Sequence, residues 1–600
     1  MAPAVRRPVR IAGASGGFSD RVHAISRIAS NEEVDVIVGD WLSEMTMTIH
    51  GSGKQKARQD PTAAQNAMFA ENFMDCFEPA IGDLQSKGIK LAVNAGASDT
   101  EKLAQIVRDA CHSRGWNDVK VAWIEGDEQT DNVKRLIKQG ETFESLMHGR
   151  KIQDWEHEII CAQCYLGGLG IAEALKQGAD IVIAGRVADA APTIGAAAYV
   201  TGGYCAAFKD LMKKNKHVNL GFPIAAVNNK GECTLTKEAN TGGMVTVDSV
   251  SSQLLYEIQG PLYYGSDVVA QLEGIQMEQV GEDEVRVTGI KGVPPPDTTK
   301  VGISGFAGWQ AEYHIYLVGL DIDEKCKMAE DQIKWELGEE RLKKFSCLKF
   351  MRNGESPIDA RNQDIATVDF RIFAQSRDRD LLRMRNPEGF FRISMVNFLM
   401  SCPGASLGND MRQAEGKPFY EYWPALLPQS EVQHRVHMLW SGDVIDMPAP
   451  TNTSKHKRQQ PSYETEGAVD LSKYGETVRA PLGKVVLGRS GDKASDCNVG
   501  FFVRPSPDNE LWDWLRSTLT VKRVKQMLGP EEVHKFRKPE LRVDRFEMPG
   551  IRAVHFLLHD HLDRGYDSCS TYDTLGKNCL EYLRAKTVDM PKHFLEQYTI

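Results

Sequence analysis

The chain is 600 residues long, 42% apolar and 26% charged, with a formal net charge of −10. That balance is typical of an ordinary globular protein, and the acidic surplus argues against nucleic acid or an anionic membrane surface as the main partner. No apolar run approaches the roughly 18 residues of a membrane span. The twelve cysteines are scattered without a disulfide framework, as in a reducing compartment, so a cytoplasmic location is expected.

Residues 9–12 read as a short buried strand, and Gly13, Gly16 and Gly17 then make a side-chain-poor turn. Val22, Ile25, Ile28 and Ala29 recur beyond it at helical spacing. A strand, glycine loop and helix in that order aim backbone N–H groups at one point, a geometry that suits phosphate or carboxylate. Ser15 also completes Gly-x-Ser-x-Gly, the nucleophile-elbow pattern. In that fold the elbow follows several strands, whereas here it follows the first.

Further strand-like runs at 34–38, 89–93, 119–124 and 181–184 alternate with helical patterns. The alternation predicts an α/β fold with a doubly wound parallel sheet in the N-terminal domain. Ligands of such sheets bind beyond the carboxyl ends of the strands. The runs exit into Asp40 and Glu44, Asn94 and Gly96, Glu125 and Asp127, and Arg186 and Asp189. Asp40, Glu44 and Asp189 are the acid–base candidates, with Ser15 as the competing nucleophile. Arg186 is the candidate clamp for a carboxylate or phosphate. Each carboxylate and amide also has a plainer reading as a helix cap. Oxygen ligands in this number leave a divalent cation open. Cys161 and Cys164 form a lone pair expected on a helix, so no metal ligands are assigned.

Residues 205–440 read as a mixed α/β domain closing over that crevice. It contains a helix at 253–258, strands at 285–287 and 313–320, and an amphipathic helix at 323–337 with Met328, Ile333 and Leu337 facing inward. Gly242 and Gly243 suggest a ligand-facing loop, and Gly302, Gly305 and Gly308 a hairpin or close backbone approach. Residues 441–478, proline-rich and polar, read as a mobile linker with a solvated Lys455–Arg458 cluster. A final α+β module spans 479–600. Its strand at 484–487 enters Gly488-Arg-Ser-Gly-Asp-Lys493, where Arg489 and Lys493 are placed to bind an anion.

Several stretches together resemble one known family. They are Gly13-Ala-Ser-Gly-Gly-Phe-Ser-Asp-Arg21, Val38-Gly-Asp-Trp-Leu-Ser-Glu44, Val93-Asn-Ala-Gly96, Cys164-Tyr-Leu-Gly167 and Ala179-Asp-Ile-Val-Ile-Ala-Gly-Arg-Val-Ala-Asp189. Gly242-Gly-Met-Val245, Leu254-Leu-Tyr-Glu-Ile258 and Arg489-Ser-Gly-Asp-Lys493 complete the set. The chain resembles the acyclic terpene utilisation (AtuA) family. The resemblance implies a cytosolic α/β protein carrying a small ferredoxin-like C-terminal domain. It also implies a place in the breakdown of citronellol-type terpenes, which proceeds through branched acyl-CoA thioesters.

The expected activity is hydratase- or lyase-type chemistry on a small anionic substrate, with a coenzyme A thioester open as that substrate. The expected alternatives are a serine hydrolase using Ser15 and a non-catalytic scaffold for acyl-CoA enzymes. A homo-oligomer is expected on general grounds.

Overall fold

The computed structural model describes residues 7–17, 20–59, 68–194, 208–536 and 540–600. Phe18 and Ser19 of the first motif and the expected boundary at 204/205 lie outside the described residues.

Five parallel strands form the centre of an eleven-stranded sheet. In spatial order they are Val9–Gly16, Val36–Asp40, Lys90–Val93, Ile181–Ile183 and Val121–Glu125. The parallel core is where the alternating pattern put it, but the sheet as a whole is mixed. Pro223–Val227, Cys233–Lys237, Glu284–Thr288 and Gln276–Gly281 extend one edge antiparallel. Arg435–Met438 and Val444–Asp446 extend the other. Hairpins have local partners and can join a sheet edge without a crossover helix, so βα alternation gives no sign of them.

One face of this sheet is covered by helices. Ile25, Ile28, Phe73, Phe77, Leu103 and Val107 pack there on Ile37, Leu91, Val93 and Ile183. The other face meets the helices Thr130–Lys138 and Leu169–Lys176 and, through Ile303, Trp423 and Ala425, a second sheet. The spine of that antiparallel sheet is the twenty-residue strand Thr298–Leu317. Lys417–Pro428 and Glu158–Cys164 pair with its first half, and Val368–Ser376 with its second.

Several local expectations change. The first strand runs through Gly16 rather than ending at Ala12, and the following helix starts only at Ala24, leaving Val22 exposed. Cys161 and Cys164 lie on a strand, not a helix, and burial pushes both thiols up. Gly302 and Gly305 sit within the long strand where the rings of Tyr422 and Trp155 cross it, the close approach expected of them. Ile333 and Leu337 are buried on the helix Ile322–Leu342, but Met328 is 39% exposed. Residues 441–478 are held along their length. His456 Nε2 donates to the Pro294 carbonyl, Arg458 pairs with Glu144, and Gln460 bonds both backbone groups of Leu262. Within the Lys455–Arg458 cluster, His456 and Arg458 are therefore attachments, while Lys455 and Lys457 are exposed as expected.

In the C-terminal module, Leu487–Lys493 and Asp496–Phe502 form a hairpin that pairs through the second strand with Ala553–Leu558, and this with Val543–Met548. The anion loop expected at 488–493 is thus itself a strand, its backbone paired with 496–501. This sheet docks on the helix Val247–Glu257 through two glycines. A Cβ at Gly491 would overlap the Tyr256 ring, and one at Gly500 would overlap Leu255. Gly491→Ala should therefore cost about 1–3 kcal/mol by overpacking. The loss should show as faster protease cleavage around 441–478, and unchanged cleavage would mean the docking tolerates a methyl group.

Candidate active site

Asp40 ends its strand, Asn94 follows the next, and Arg186 lies three residues beyond Ile181–Ile183. All three are buried. The side-chain amide of Asn94 donates to Asp40 Oδ1, which also accepts from the Leu42 N–H at 3.0 Å. The Trp41 N–H donates to Asn94 Oδ1 at 2.8 Å. Adjacent parallel strands are about 5 Å apart, so side chains at their carboxyl ends meet without further construction.

Arg186, 2% exposed, reaches Asp189 at 3.0 Å and lies 4.2 Å over the Tyr165 ring. Its Nη1 is buried and finds no hydrogen-bond acceptor among the described residues. Glu44 opens the next helix and accepts from the Tyr165 hydroxyl at 2.8 Å, with Lys300 Nζ at 3.4 Å. The Tyr165 and Tyr422 hydroxyls are 3.0 Å apart, and Lys300 sits 4.2 Å over the Tyr165 ring. Tyr165 is thereby flanked by two cations.

The two carboxyls separate electrostatically. Burial, then the charge of Asp189, raises Asp40 to about 7 against the pull of Arg186 and Asn94. Burial also acts on Glu44, but Lys300 and Arg186 outweigh it and hold that carboxyl at about 2. Asp40 is therefore poised to give or take a proton near neutral pH, while Glu44 stays ionised and anchors Tyr165 and Lys300.

The C-terminal module faces the same point. Burial, then the charge of Glu44, raises Asp492 to about 6 and Asp567 to about 7. Tyr256, beneath Arg489 at 4.2 Å, also senses Asp189. Among the described residues, no group of three or more His, Cys, Asp or Glu side chains is arranged to hold a metal ion.

The remaining candidates lie elsewhere or do other work. Ser15 donates to the carbonyls of Gly17 and Asp40 at 2.9 Å, and among the described residues no histidine hydrogen-bonds to it. The Gly16 N–H is taken by Asp20 Oδ2 at 2.6 Å and the Gly17 N–H by Ser15 Oγ at 3.3 Å. Together with the late helix start, this removes the vacant anion cradle expected of Gly13, Gly16 and Gly17. Gly96 allows close approach to the Ala184 carbonyl. Asp127 caps the Arg186 N–H at 2.7 Å, and Glu125 pairs with His437 at 2.7 Å. Gly242 and Gly243 pack on the backbone of residues 216–219. Arg489 bonds Gln253, and Lys493 reaches Glu257 at 3.4 Å. A cleft lined by Leu166, Asp267, His434 and Met447 shares only Tyr165 with the acid–base cluster.

Sequence reasoning missed Lys300 and Tyr422. Both lie on strands that carry other polar and aromatic residues, so nothing in the sequence singled them out.

The AtuA model, described as acyclic terpene utilisation family protein AtuA, matches residues 9–200 and 196–438. The AtuA ferredoxin-like domain matches residues 480–589. The chain belongs to the acyclic terpene utilisation family. No curated protein and no solved structure matches it. The family-matched segments carry Asp40, Glu44, Tyr165, Arg186, Lys300 and Tyr422 in the first part and Asp492 in the second. No helix among the described residues is long and apolar enough to cross a membrane.

Proposed function

We propose that this AtuA-family chain is an enzyme of branched-chain or acyclic terpenoid metabolism. It carries out hydratase- or lyase-type chemistry on a small anionic acyl substrate, a free carboxylate or a coenzyme A thioester. The observation that carries the reading is Asp40, held near neutral pKa beside the buried, unfilled Nη1 of Arg186. A carboxylate or thioester oxygen accepting from Nη1 would complete the guanidinium. Asp40, its carboxyl raised to about 7, would then move the proton that addition or elimination requires. Tyr165, bonded to Glu44 and next to Tyr422, lies on the same side and is a second hydroxyl within the cluster.

Thermal shift with branched acyl-CoA thioesters, the free acids, coenzyme A and nucleotides, each with and without magnesium, tests the substrate class. A ligand at about 100 times its dissociation constant stabilises by roughly 2.7 kcal/mol. Asp40→Asn should keep the shift and lose turnover in a hydration assay by about 10²-fold or more. Arg186→Lys should lose the shift, because an ammonium cannot reproduce the guanidinium's planar fork, one nitrogen on Asp189 and the other on the ligand. Turnover that survives Asp40→Asn would remove the acid–base assignment. A shift for nucleotides alone would replace the acyl substrate.

A further inference from the structure

Away from this site, the C-terminal module places two thiols, an imidazole and a carboxylate in contact. Cys579 opens the helix Cys579–Ala585, and Cys497 lies on the strand Asp496–Phe502. The helix that Cys579 opens packs on the strand that carries Cys497, and each thiol shifts the other's titration. Cys579 Sγ is 3.9 Å from His561 Nε2, and that nitrogen is 3.8 Å from Glu532. Cys497 Sγ is 3.6 Å from the Gly576 carbonyl.

The electrostatics single out this pair. Hydrogen bonding from Cys497, and then His561, pulls the Cys579 thiol down despite its burial, while Cys497 goes up. Burial opposes the charge on His561, but Cys579 and Glu532 raise it. Elsewhere, burial leads the upward shift of thiols such as Cys76, Cys111, Cys161 and Cys569. Cys579, 5% exposed, therefore combines a lowered thiol, an imidazole partner and a second sulfur on the adjoining strand, features that favour reversible thiol oxidation.

We propose that Cys579 and Cys497 form a redox-active dithiol, oxidised by a hydroperoxide to an intramolecular disulfide. The Cys579 sulfur attacks one peroxide oxygen and the O–O bond breaks. The departing oxygen takes a proton and leaves as water or an alcohol, giving a sulfenic acid on Cys579. The Cys497 sulfur then attacks the sulfenic sulfur. The S–S bond forms, the S–O bond breaks, and hydroxide leaves as water with the Cys497 proton. Two electrons pass from the dithiol to the peroxide, and a small dithiol reductant reverses the change.

The position gives this chemistry a consequence. Asn498, next to Cys497, donates to the carbonyls of Leu255, Tyr256 and Ile258. The loop leading to Cys579 carries Lys577 to 5.8 Å over the Tyr256 ring. A disulfide would tie the strand that holds Tyr256 to the loop that covers it.

The test is peroxide treatment of the full chain followed by non-reducing digestion and mass mapping. A Cys497–Cys579 crosslinked peptide that dithiothreitol removes is expected. Cys497→Ser should stop the reaction at a dimedone-labelled Cys579, and Cys579→Ser should abolish both products. In the unmutated chain, iodoacetamide should alkylate Cys579 at a lower pH than the other cysteines. Peroxide that oxidises other cysteines while leaving both of these free would overturn the proposal, with no variant required to fold.

Discussion

Arg186→Met is expected to lower the free energy of unfolding by about 3–5 kcal/mol, the usual loss when a buried ion cluster is deprived of one sign of charge. Arg186 is almost fully buried, pairs with Asp189, and lies within electrostatic reach of Glu44 and Asp40. A methionine fills much of the volume but leaves those carboxyls without their shared cation. Asp40 can respond by keeping its proton; Glu44 retains Lys300. Adding Glu44→Gln to Arg186→Met should therefore restore part of the loss, and the double-mutant cycle measures the coupling. Chemical denaturation with tryptophan fluorescence supplies the values. A loss below about 1 kcal/mol, the range of an exposed pair, would mean the cluster is wet and open.

The second large effect is a loss of stability on the alkaline side. His559 lies between two buried carboxylates, Asp544 at 2.7 Å and Asp496 at 3.3 Å. Burial alone would lower it, but the two partners raise it from 6.5 to about 9. A base whose pKa is raised by folding stabilises the fold fully below its unfolded value and stops doing so as pH passes its folded value. The contribution, roughly 3 kcal/mol by the linkage relation, is present at pH 6 and gone by about pH 10. His314, raised to about 9 by Asp369 and Glu312, acts in the same window.

Buried acids add to the trend at lower pH. Burial holds Asp40, Asp127 and Asp567 near 7, so each favours the protonated, folded form and costs stability as pH rises from about 4 to 7. The chain should be most stable at mildly acidic pH. Denaturation midpoints at pH 6, 7.5 and 9 should fall in that order, and His559→Gln should flatten the upper half. A midpoint independent of pH would contradict the buried His559 clamp.

The convergence of Asp40, Asn94 and Arg186 was legible because these residues follow directly from the strand pattern. Asp40, Asn94 and Arg186 stand at or just beyond the carboxyl ends of parallel strands, and a strand end fixes where a side chain points. The glycine loop misled for a related reason. Its composition announces exposed N–H groups, but Asp20 and Ser15, equally local, already accept from two of them. Arg489 and Lys493 look like an anion loop in one dimension. In three they grip Gln253 and Glu257 of a helix more than two hundred residues earlier.

The amino-acid order by itself determined the parallel α/β core, the family, the ferredoxin-like C-terminal part and the acids at the strand ends. Hydrophobic periodicity and short motifs are local properties, and these features depend on nothing else. Tertiary structure decided which of those carboxyls is raised towards neutral pH and which is held down. Lys300, from a strand of the second sheet, and Arg186 hold Glu44 at about 2, while burial and then Asp189 raise Asp40 to about 7. It also brought Asp492 and Asp567 of the C-terminal module against Glu44. A charge's pKa depends on burial and on neighbours within a few ångströms, and those neighbours come from segments hundreds of residues apart in the chain.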